Sequence, residues 1–312
     1  MLKSILLMIA LAASAAPATA PDWAFPPGGH RAGAQTLDPA RTITVPGAAR
    51  AYPETIVHGG GEAVDWRPGE HGALPGIVAR SPTPGGWACG YCHLPGGEGR
   101  PENANLAGLP AAYIVRQVEA MKSGARAGVR PDYVPATLMA GVAKSVSPQD
   151  LRAAADYFSR QTFTSRVRVV EGAMAPRATP AFFVYKVSKG EFAPLGQRIV
   201  EAPADLVGFE KRDGHMTYAA YVPAGAVERG AALARSGGPN AQPCASCHGF
   251  GLKGAAGPPI AGRSPSYLFR QLLAFRARTR RAPEAVAMQR VAAGLTDADM
   301  IALAAYAAAQ KP

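Results

Sequence analysis

Two short motifs contain all four cysteines of this 312-residue chain: residues 89–93 read CGYCH and residues 244–248 read CASCH. In each motif two thiols lie three positions apart, and a His follows the second. Such thiols can each add to one vinyl group of a single haem, while the His binds the iron as an axial ligand. The pattern therefore predicts two covalently attached haem c groups. The predicted thioether residues are Cys89, Cys92, Cys244 and Cys247, and the predicted iron ligands are His93 and His248.

Two other interpretations use the same cysteines. Each pair could form a tight disulfide, or the four thiols together could bind one zinc ion. Neither interpretation explains why a His follows both pairs directly, in a chain with only six His residues. The haem interpretation is therefore favoured.

The first 20 residues, MLKSILLMIALAASAAPATA, have the composition of a secretory signal peptide. Lys3 supplies the positive start, an apolar run follows, and small residues precede a cleavage point at about 15–20. No later stretch reaches about 18 consecutive apolar residues, so we expect a mature protein that is soluble and periplasmic. An uncleaved N-terminal anchor is the alternative.

The chain is basic, with 33 Lys and Arg against 22 Asp and Glu and a formal net charge of +11. A basic exported protein favours acidic partners or anionic membrane surfaces. We therefore expect redox protein partners with acidic docking surfaces, and peripheral association with a membrane complex stays open. Nucleic acid is not expected, because only the charge favours it and the export signal argues against it.

The two halves of the chain repeat each other. LAGLPAAYIVRQVEAMKSGARA begins at Leu106 and IAGRSPSYLFRQLLAFRARTRR begins at Ile260, and their matching residues lie 154 positions apart. The matched pairs are Tyr113 with Tyr267, Arg116 with Arg270, and Gln117 with Gln271. Each half is predicted to run from the cysteine motif through a loop and a helix to a Met-containing loop and a capped terminal helix.

Met139 and Met288 occupy equivalent positions in this repeat, each 18 residues before a Tyr of the terminal helix. A Met thioether opposite His is a common sixth ligand that raises the reduction potential of haem iron. We predict that both bind iron and that Met121 and Met300 pack in helices. The remaining histidines, which have no counterpart in the other half, are predicted to be surface or structural residues: His30, His58, His71 and His215.

The shared pattern continues as L/I-A-G, then Y-x-x-x-Q, Met, and an S/T-x-x-D helix start with a final Tyr. It resembles class I cytochrome c domains, and the tandem arrangement resembles the diheme cytochrome c4 family. The resemblance implies helical domains whose first and last helices cross, and a role in electron transfer. It runs through residues 89–157 and 244–306, somewhat under half of the chain. Pro258 or Pro259 is the expected carbonyl partner of His248, whereas the first half has no Pro there.

Between the halves, alternating segments at 166–170, 182–187, 197–202 and 217–222 predict strands, with an irregular loop as the alternative. The predicted fold is mainly α, with two tandem cytochrome c-like helical domains and a small β-containing segment between them. The predicted boundaries are 1–20 signal peptide, 21–70 irregular N-terminal arm, 71–160 first domain, 161–223 insertion and 224–312 second domain.

Two arginine sets have predicted roles. Arg116 and Arg270 are candidates to pair with haem propionates, with a solvated helix face as the alternative. The run FRARTRRA at 275–282 is a candidate docking patch for an acidic partner, again with a solvated face as the alternative.

The predicted function is a periplasmic diheme electron carrier without catalytic residues, its two irons each bound by His and Met. The alternatives are a haem enzyme, such as a thiosulfate dehydrogenase-like or peroxidase-like diheme cytochrome, and an electron-transfer subunit of a periplasmic dehydrogenase. Catalysis at iron would require an open sixth position.

Overall fold

The computed structural model of the protein describes residues 20–28, 37–237 and 242–312. His30 and residues 1–19 of the predicted signal peptide lie outside the described residues. The described helices are α1 Glu54–Gly59, α2 Gly76–Ala79, α3 Cys89–His93, α4 Ala111–Lys122, α5 Val134–Ser145, α6 Pro148–Ser159, α7 Leu206–Glu210, α8 Ala226–Ser236, α9 Cys244–His248, α10 Pro265–Arg276, α11 Val286–Ala293 and α12 Asp297–Ala309. The described strands are β1 Thr42–Ile43, β2 Tyr52–Pro53, β3 Val167–Glu171, β4 Met174–Ala181, β5 Val184–Pro194, β6 Val200–Pro203 and β7 Tyr218–Val222. The predicted class, mainly α with a β-containing segment between two helical units, is confirmed.

In the first helical unit, α2, α4 and α6 enclose a core that includes Val78, Ile114, Leu151 and Phe158. The Ser147 hydroxyl caps α6 by accepting a hydrogen bond from the Asp150 backbone N–H, as the sequence predicts. The opening helix α2 has only four residues and follows Pro75. This unit therefore depends on other parts of the chain for cover.

In the second unit, α8 and α12 cross at close range. A Cβ added at Gly230 would lie 2.7 Å from the Tyr306 Cβ and would overlap the backbone carbonyl of Ala302. Glycine is needed there because only its missing side chain allows this approach. Thr296 and Asp299 form a complete capping box at the start of α12. The cap agrees with the S/T-x-x-D start that the sequence predicts, and the crossing agrees with what the cytochrome c resemblance implies.

The insertion forms two small sheets. β7 pairs with β3 in parallel and with β6 in antiparallel orientation, while β4 and β5 form a separate antiparallel hairpin. Four predicted strands are found, but β4 and helix α7 were not expected. β4 contains Pro176 and Pro180, which weaken a strand signal, and its register is irregular between Pro176 and Ala178. Proline is tolerated here because the hairpin has only two strands, both at an edge.

The described part of the N-terminal arm packs on the first cysteine motif. Val57, Val64 and Trp66 form a buried cluster with Ala88 and Tyr91. Burial of these side chains from water is what stabilises an arm with so little regular structure. The described part of the arm is therefore packed against the first helical unit.

Within the described ranges, no single helix is long and apolar enough to cross a membrane. One bent pair, Pro283–Ala293 with Asp297–Ala309, passes on length and composition alone, with an angle of 115° between its helices.

Candidate haem sites

The first cysteine motif forms the short helix α3, which ends at His93. The His93 side chain is buried, and its Nδ1 lies 2.7 Å from the backbone oxygen of Ala104. A carbonyl oxygen only accepts hydrogen bonds, so Nδ1 must carry the hydrogen and Nε2 keeps a free lone pair. Burial also lowers the pKa of His93, which favours the neutral ring that a metal requires.

The second motif repeats this arrangement on α9. Nδ1 of His248 lies 2.8 Å from the backbone oxygen of Pro258, and burial lowers the pKa of His248. Gly257 lets the loop approach the ring, because a Cβ added there would lie 3.0 Å from His248 Nδ1. Of the two prolines that the sequence offered, the structure selects Pro258. Ala104 supplies the equivalent carbonyl in the first half, where the sequence left the partner unassigned.

Met139 and Met288 lie within helices α5 and α11, so the expectation that they lie on loops is wrong. Both segments are rich in helix formers. Pro135 does not break α5 because it lies in the first turn, where proline is tolerated. Both side chains are partly buried and line the same cavity as the cysteine motifs. Their role as sixth iron ligands stays a prediction.

The other methionines have distinct surroundings. Met300 is fully buried in the core of the second unit, and Met121 packs against the core of the first, as predicted for packing residues. Met216 belongs to a buried cluster of the insertion with Phe209 and Tyr218, and Met174 is exposed. Met139 and Met288 are thus the methionines whose positions repeat between the two halves.

A single cavity of about 980 Å³ connects the two motifs. Its wall includes the four cysteines, the two buried histidines, Met139 and Met288. The donor set and its chemistry fit haem c at both ends: paired thiols for attachment, a neutral imidazole on one side and a soft sulfur on the other.

A pseudo-two-fold axis passes between the two ends of the cavity. Arg126 donates to the Oε1 atoms of Gln117 (2.8 Å) and Gln271 (3.1 Å). Arg280 donates to the same two atoms, at 2.6 Å for Gln117 and 3.0 Å for Gln271. Arg126 and Arg280 also form an antiparallel backbone bridge. The two helical units are therefore joined by the same contacts made twice.

These central arginines carry positive charge into the cavity. Neither Arg126 nor Arg280 forms an ion pair with a carboxylate in the described parts of the chain. Burial alone would raise the pKa of Tyr113, but Arg280 and Arg126 together lower it. Arg280 is buried and Arg126 is partly buried, and cations in such places without an anionic partner are suited to haem propionates. Sequence reasoning missed this pair, although the 154-residue offset that relates Tyr113 to Tyr267 also relates Arg126 to Arg280.

Arg116 and Arg270, the two predicted propionate partners, lie in different surroundings. Arg116 is exposed on α4 and borders the cavity. Arg270 is buried, and its guanidinium donates to the backbone oxygens of Ala24 and Pro101. The N-terminal arm and the first domain thus occupy Arg270, and its pairing with a propionate stays a prediction.

The run at 275–282 is divided between solvent and interior. Arg276 donates to Asp297 at 2.6 Å, and Arg280 belongs to the central quartet, whereas Arg278 and Arg281 are exposed. Only half of the predicted patch is therefore free to meet a partner.

The two motifs differ in cover. Tyr91, inside the first motif, is 2% exposed, and Arg212 of the insertion stacks on its ring and donates to its backbone oxygen at 2.9 Å. In the second motif Cys247 is exposed, and the nearby Phe250 is 95% exposed. The first site is enclosed by the arm and the insertion, and the second meets solvent.

The other histidines make local polar contacts. Nε2 of His71 lies 3.1 Å from Asp65, and Nε2 of His215 lies 2.7 Å from Glu70. His58 also has a partner.

Comparison with known proteins agrees with this geometry. Residues 227–309 match the family model of cytochrome c. The chain is 27% identical to the thiosulfate dehydrogenase electron acceptor of Thiomonas intermedia (strain K12) over 242 residues, which is 76% of this chain and 85% of that protein. It is 32% identical to cytochrome c4 of Stutzerimonas stutzeri over 137 residues, 42% of this chain and 64% of that protein.

Among solved structures, the thiosulfate dehydrogenase TsdBA of Marichromatium purpuratum in its "as isolated" form is similar, with 28% identity and a TM-score of 0.48. The match covers 72% of this chain but only 36% of that chain. The chain thus spans less than two thirds of both this protein and the Stutzerimonas cytochrome. With two CxxCH motifs, two carbonyl-bonded histidines and a cytochrome c match over residues 227–309, the chain is similar to diheme cytochromes of the c4 family.

Proposed function

We propose that the protein is an exported, periplasmic carrier of single electrons whose two irons are each bound by His and Met. The observation that carries the proposal is the repeated arrangement around one cavity. Each half offers a buried His with its Nε2 lone pair free, and a partly buried Met on a helix that borders the same cavity. Haem c would supply the one-electron couple.

The residues of the chain hold and tune that couple. The carbonyls of Ala104 and Pro258 fix the tautomer and the orientation of the two imidazoles. The guanidinium groups of Arg126 and Arg280, which pair with no carboxylate of the described residues, would compensate the charge of haem propionates between the sites. No residue has to donate or remove a proton from a substrate, because electron transfer leaves the covalent bonds unchanged.

Electron exchange with partner proteins takes place at the second site in this proposal. Phe250 and Cys247 offer an apolar, solvent-facing surface there, whereas the arm and the insertion cover the first motif. The net charge of +11 favours a partner with an acidic rim around its own apolar contact.

The donor we favour is a dehydrogenase, because one relative is named as the electron acceptor of thiosulfate dehydrogenase and aligns with 76% of this chain. The second candidate function is catalysis at one iron, which the similarity to TsdBA favours. The carrier and the enzyme differ in the sixth ligand of the iron, because a catalytic iron needs a sixth position that a substrate can reach.

The test is a redox titration of the holoprotein followed by visible absorption, including the long-wavelength band of a Met–ferric iron bond. Two one-electron steps and two such bands are expected. Met139→Ala and Met288→Ala should each remove one band and lower one potential, because Met ligation raises the potential. Met300→Leu, a buried Met on α12 outside the cavity wall, is the control and should leave both bands. A band that survives either alanine variant would refute that ligand.

A further inference from the structure

Arg263, a buried residue directly before the cap of α10, joins the loops that hold the two predicted iron-binding histidines. These loops, residues 103–107 and 257–261, are here named the proximal loops. On the first loop the guanidinium donates to the backbone oxygen and to the Oδ1 of Asn105, both at 2.9 Å. On the second it donates to the backbone oxygen of Pro259 at 2.8 Å. One side chain therefore bonds both loops at once.

Each of these acceptors comes directly after the residue whose carbonyl meets a histidine. In the first proximal loop that residue is Ala104, whose oxygen lies 2.7 Å from Nδ1 of His93. In the second it is Pro258, whose oxygen lies 2.8 Å from Nδ1 of His248. Arg263 thus fixes the chain one residue after each of the two hydrogen bonds that orient an imidazole.

The repeat between the halves shows that the contact is two-sided. Asn105 and Pro259 lie 154 positions apart, which is the offset that relates the two halves. The position equivalent to Arg263 in the first half is Leu109, and Leu109 packs in the core of the first unit. The second half therefore supplies one arginine that serves equivalent residues of both proximal loops.

Arg263 has little capacity left for another ligand. A guanidinium carries five N–H groups, and a fourth hydrogen bond runs to the Ala107 backbone oxygen at 3.1 Å. The guanidinium also lies over the Phe163 ring, 4.5 Å from the ring centre. Burial lowers the pKa of Arg263 to about 10, so the side chain stays charged at neutral pH. These contacts suit a fixed link between two loops better than a binding site for an anion.

We propose that Arg263 is a positioning residue that ties the two proximal loops together and sets the orientation of both axial imidazoles. The proposal rests on His93 and His248 binding iron, as in the proposed function, and does not depend on the methionines. A hydrogen bond from Nδ1 raises the basicity of an iron-binding imidazole. A loop released from Arg263 holds its carbonyl less firmly, so this hydrogen bond weakens.

The expected consequence is a change at both haems from one substitution. An imidazole with a weaker hydrogen bond at Nδ1 donates less electron density to iron, which costs the ferric state more than the ferrous state. The reduction potential therefore rises. Because both proximal loops depend on Arg263, both potentials rise together.

The main test is Arg263→Lys in the holoprotein. Lysine keeps the charge but cannot bond both loops, because its ammonium group is a point charge and lacks the fork of a guanidinium. Redox titration followed by visible absorption should show that both potentials rise. At the midpoint potentials of the parent protein, the ferrous-to-ferric ratio of each haem should increase about threefold, which corresponds to about 28 mV for one electron. Proton NMR of the ferric protein should show shifted haem methyl signals at both haems, since these signals depend on the orientation of the axial imidazole.

Arg263→Gln separates the effect of position from the effect of charge. Loss of a cation favours the ferric state by simple electrostatics. Both potentials should therefore lie below those of Arg263→Lys, while the methyl signals of both haems still move.

Asn105→Ala is a milder variant, which serves if the substitutions at Arg263 prevent folding. It removes one acceptor from the first proximal loop and leaves the bond to Pro259, so the methyl signals of one haem should move more than those of the other. Arg198→Lys is the matched control. Arg198 is partly buried and donates to the Pro194 backbone oxygen at 3.3 Å, but it lies outside the cavity wall. Absorption spectra and melting temperatures check that each variant folds.

The proposal is overturned if Arg263→Lys keeps the potentials and methyl signals of the parent protein, because charge alone would then suffice. A change at one haem only, an equal change in Arg198→Lys, or unchanged methyl signals in Asn105→Ala would also overturn it. None of these results concerns the methionine bands, so failure here is distinct from failure of the proposed function.

Discussion

The two halves share one sequence pattern but stand in different surroundings. The first half has a four-residue opening helix, α2, and the arm and the insertion cover its cysteine motif. The second has a full opening helix, α8, that crosses α12 through Gly230, and it leaves Cys247 and Phe250 at the surface. A repeat can therefore keep the same metal-binding residues while one copy is enclosed and the other stays accessible.

In the proposed function, the features common to both halves serve the haem and those that occur once serve exchange with partners. The carbonyl-bonded histidines are the same in both halves, so they belong to the common chemistry. The apolar surface at Phe250 and the charged enclosure at Arg212 each occur once, so they belong to the separate tasks of the two sites.

The largest expected change in stability concerns the crossing of α8 and α12, because only the second half has a full opening helix. Gly230→Val should lower the free energy of unfolding by about 3 kcal/mol or more, because the new side chain would overlap the Ala302 carbonyl. Gly141→Ala in α5 is the control: nothing lies within 4 Å of the added Cβ, and alanine should stabilise that helix by about 0.5–1 kcal/mol. Thermal unfolding of the holoprotein measures the stability of both variants. Equal destabilisation by Gly230→Val and Gly141→Ala would contradict a special role for the glycine at the helix crossing.

The next effect concerns the contacts that join the halves. Arg126→Gln and Arg280→Gln should each cost about 1–3 kcal/mol of unfolding free energy, because each removes charge-assisted hydrogen bonds to Gln117 and Gln271. The double variant should cost less than the sum, since the four side chains share acceptors. Chemical denaturation of the four proteins measures this coupling, and strict additivity would contradict a shared network.

A smaller effect tests the open surface of the second half. Phe250→Ala should slow electron exchange with a protein partner by about threefold to tenfold, because a central apolar contact is lost, while both potentials and the melting temperature stay unchanged. Phe192→Ala, an exposed Phe on β5, is the control. Stopped-flow reduction measures the rates, and a partner site on the first half would leave the Phe250 variant unaffected.

The smallest effect tests the enclosure of the first half. The hydrogen bond to Asp65 is the main cause that raises the pKa of His71, against desolvation. This pair therefore stabilises the fold fully below the unfolded pKa of about 6.5, and the gain is lost as pH rises through the folded pKa. His71→Gln should remove this dependence, on the order of 1 kcal/mol. Unfolding curves between about pH 5 and pH 9 measure this pH dependence of stability. If the variant keeps the pH profile of the parent protein, the His71–Asp65 pair is not its cause.

Local sequence was sufficient for much of the common chemistry. The cysteine motifs and the caps of α6 and α12 each depend on residues within a few positions of each other. The prediction that Met139 and Met288 lie on loops before the terminal helices was wrong, because both lie within helices, and Pro135 is tolerated in the first turn of α5.

The enclosure of the first site could not be predicted from the sequence, because it depends on contacts between residues far apart in the chain. Arg212 donates to Tyr91 across 121 positions, and Trp66 donates to Lys211 across 145. No local pattern encodes such a pairing. The Ala104 carbonyl was missed for a related reason: any residue has a backbone oxygen, so only the path of the loop shows which one meets His93.

The bridge between Arg126 and Arg280 carries an implication about ancestry. Two identical chains that meet across a two-fold axis form every contact in duplicate, and here Arg126 and Arg280 exchange the same glutamine acceptors. Such an interface suits a homodimer of single-motif chains as well as it suits their fused descendant. Two copies joined in one chain need not stay identical, which agrees with an arm and an insertion that cover the first site alone.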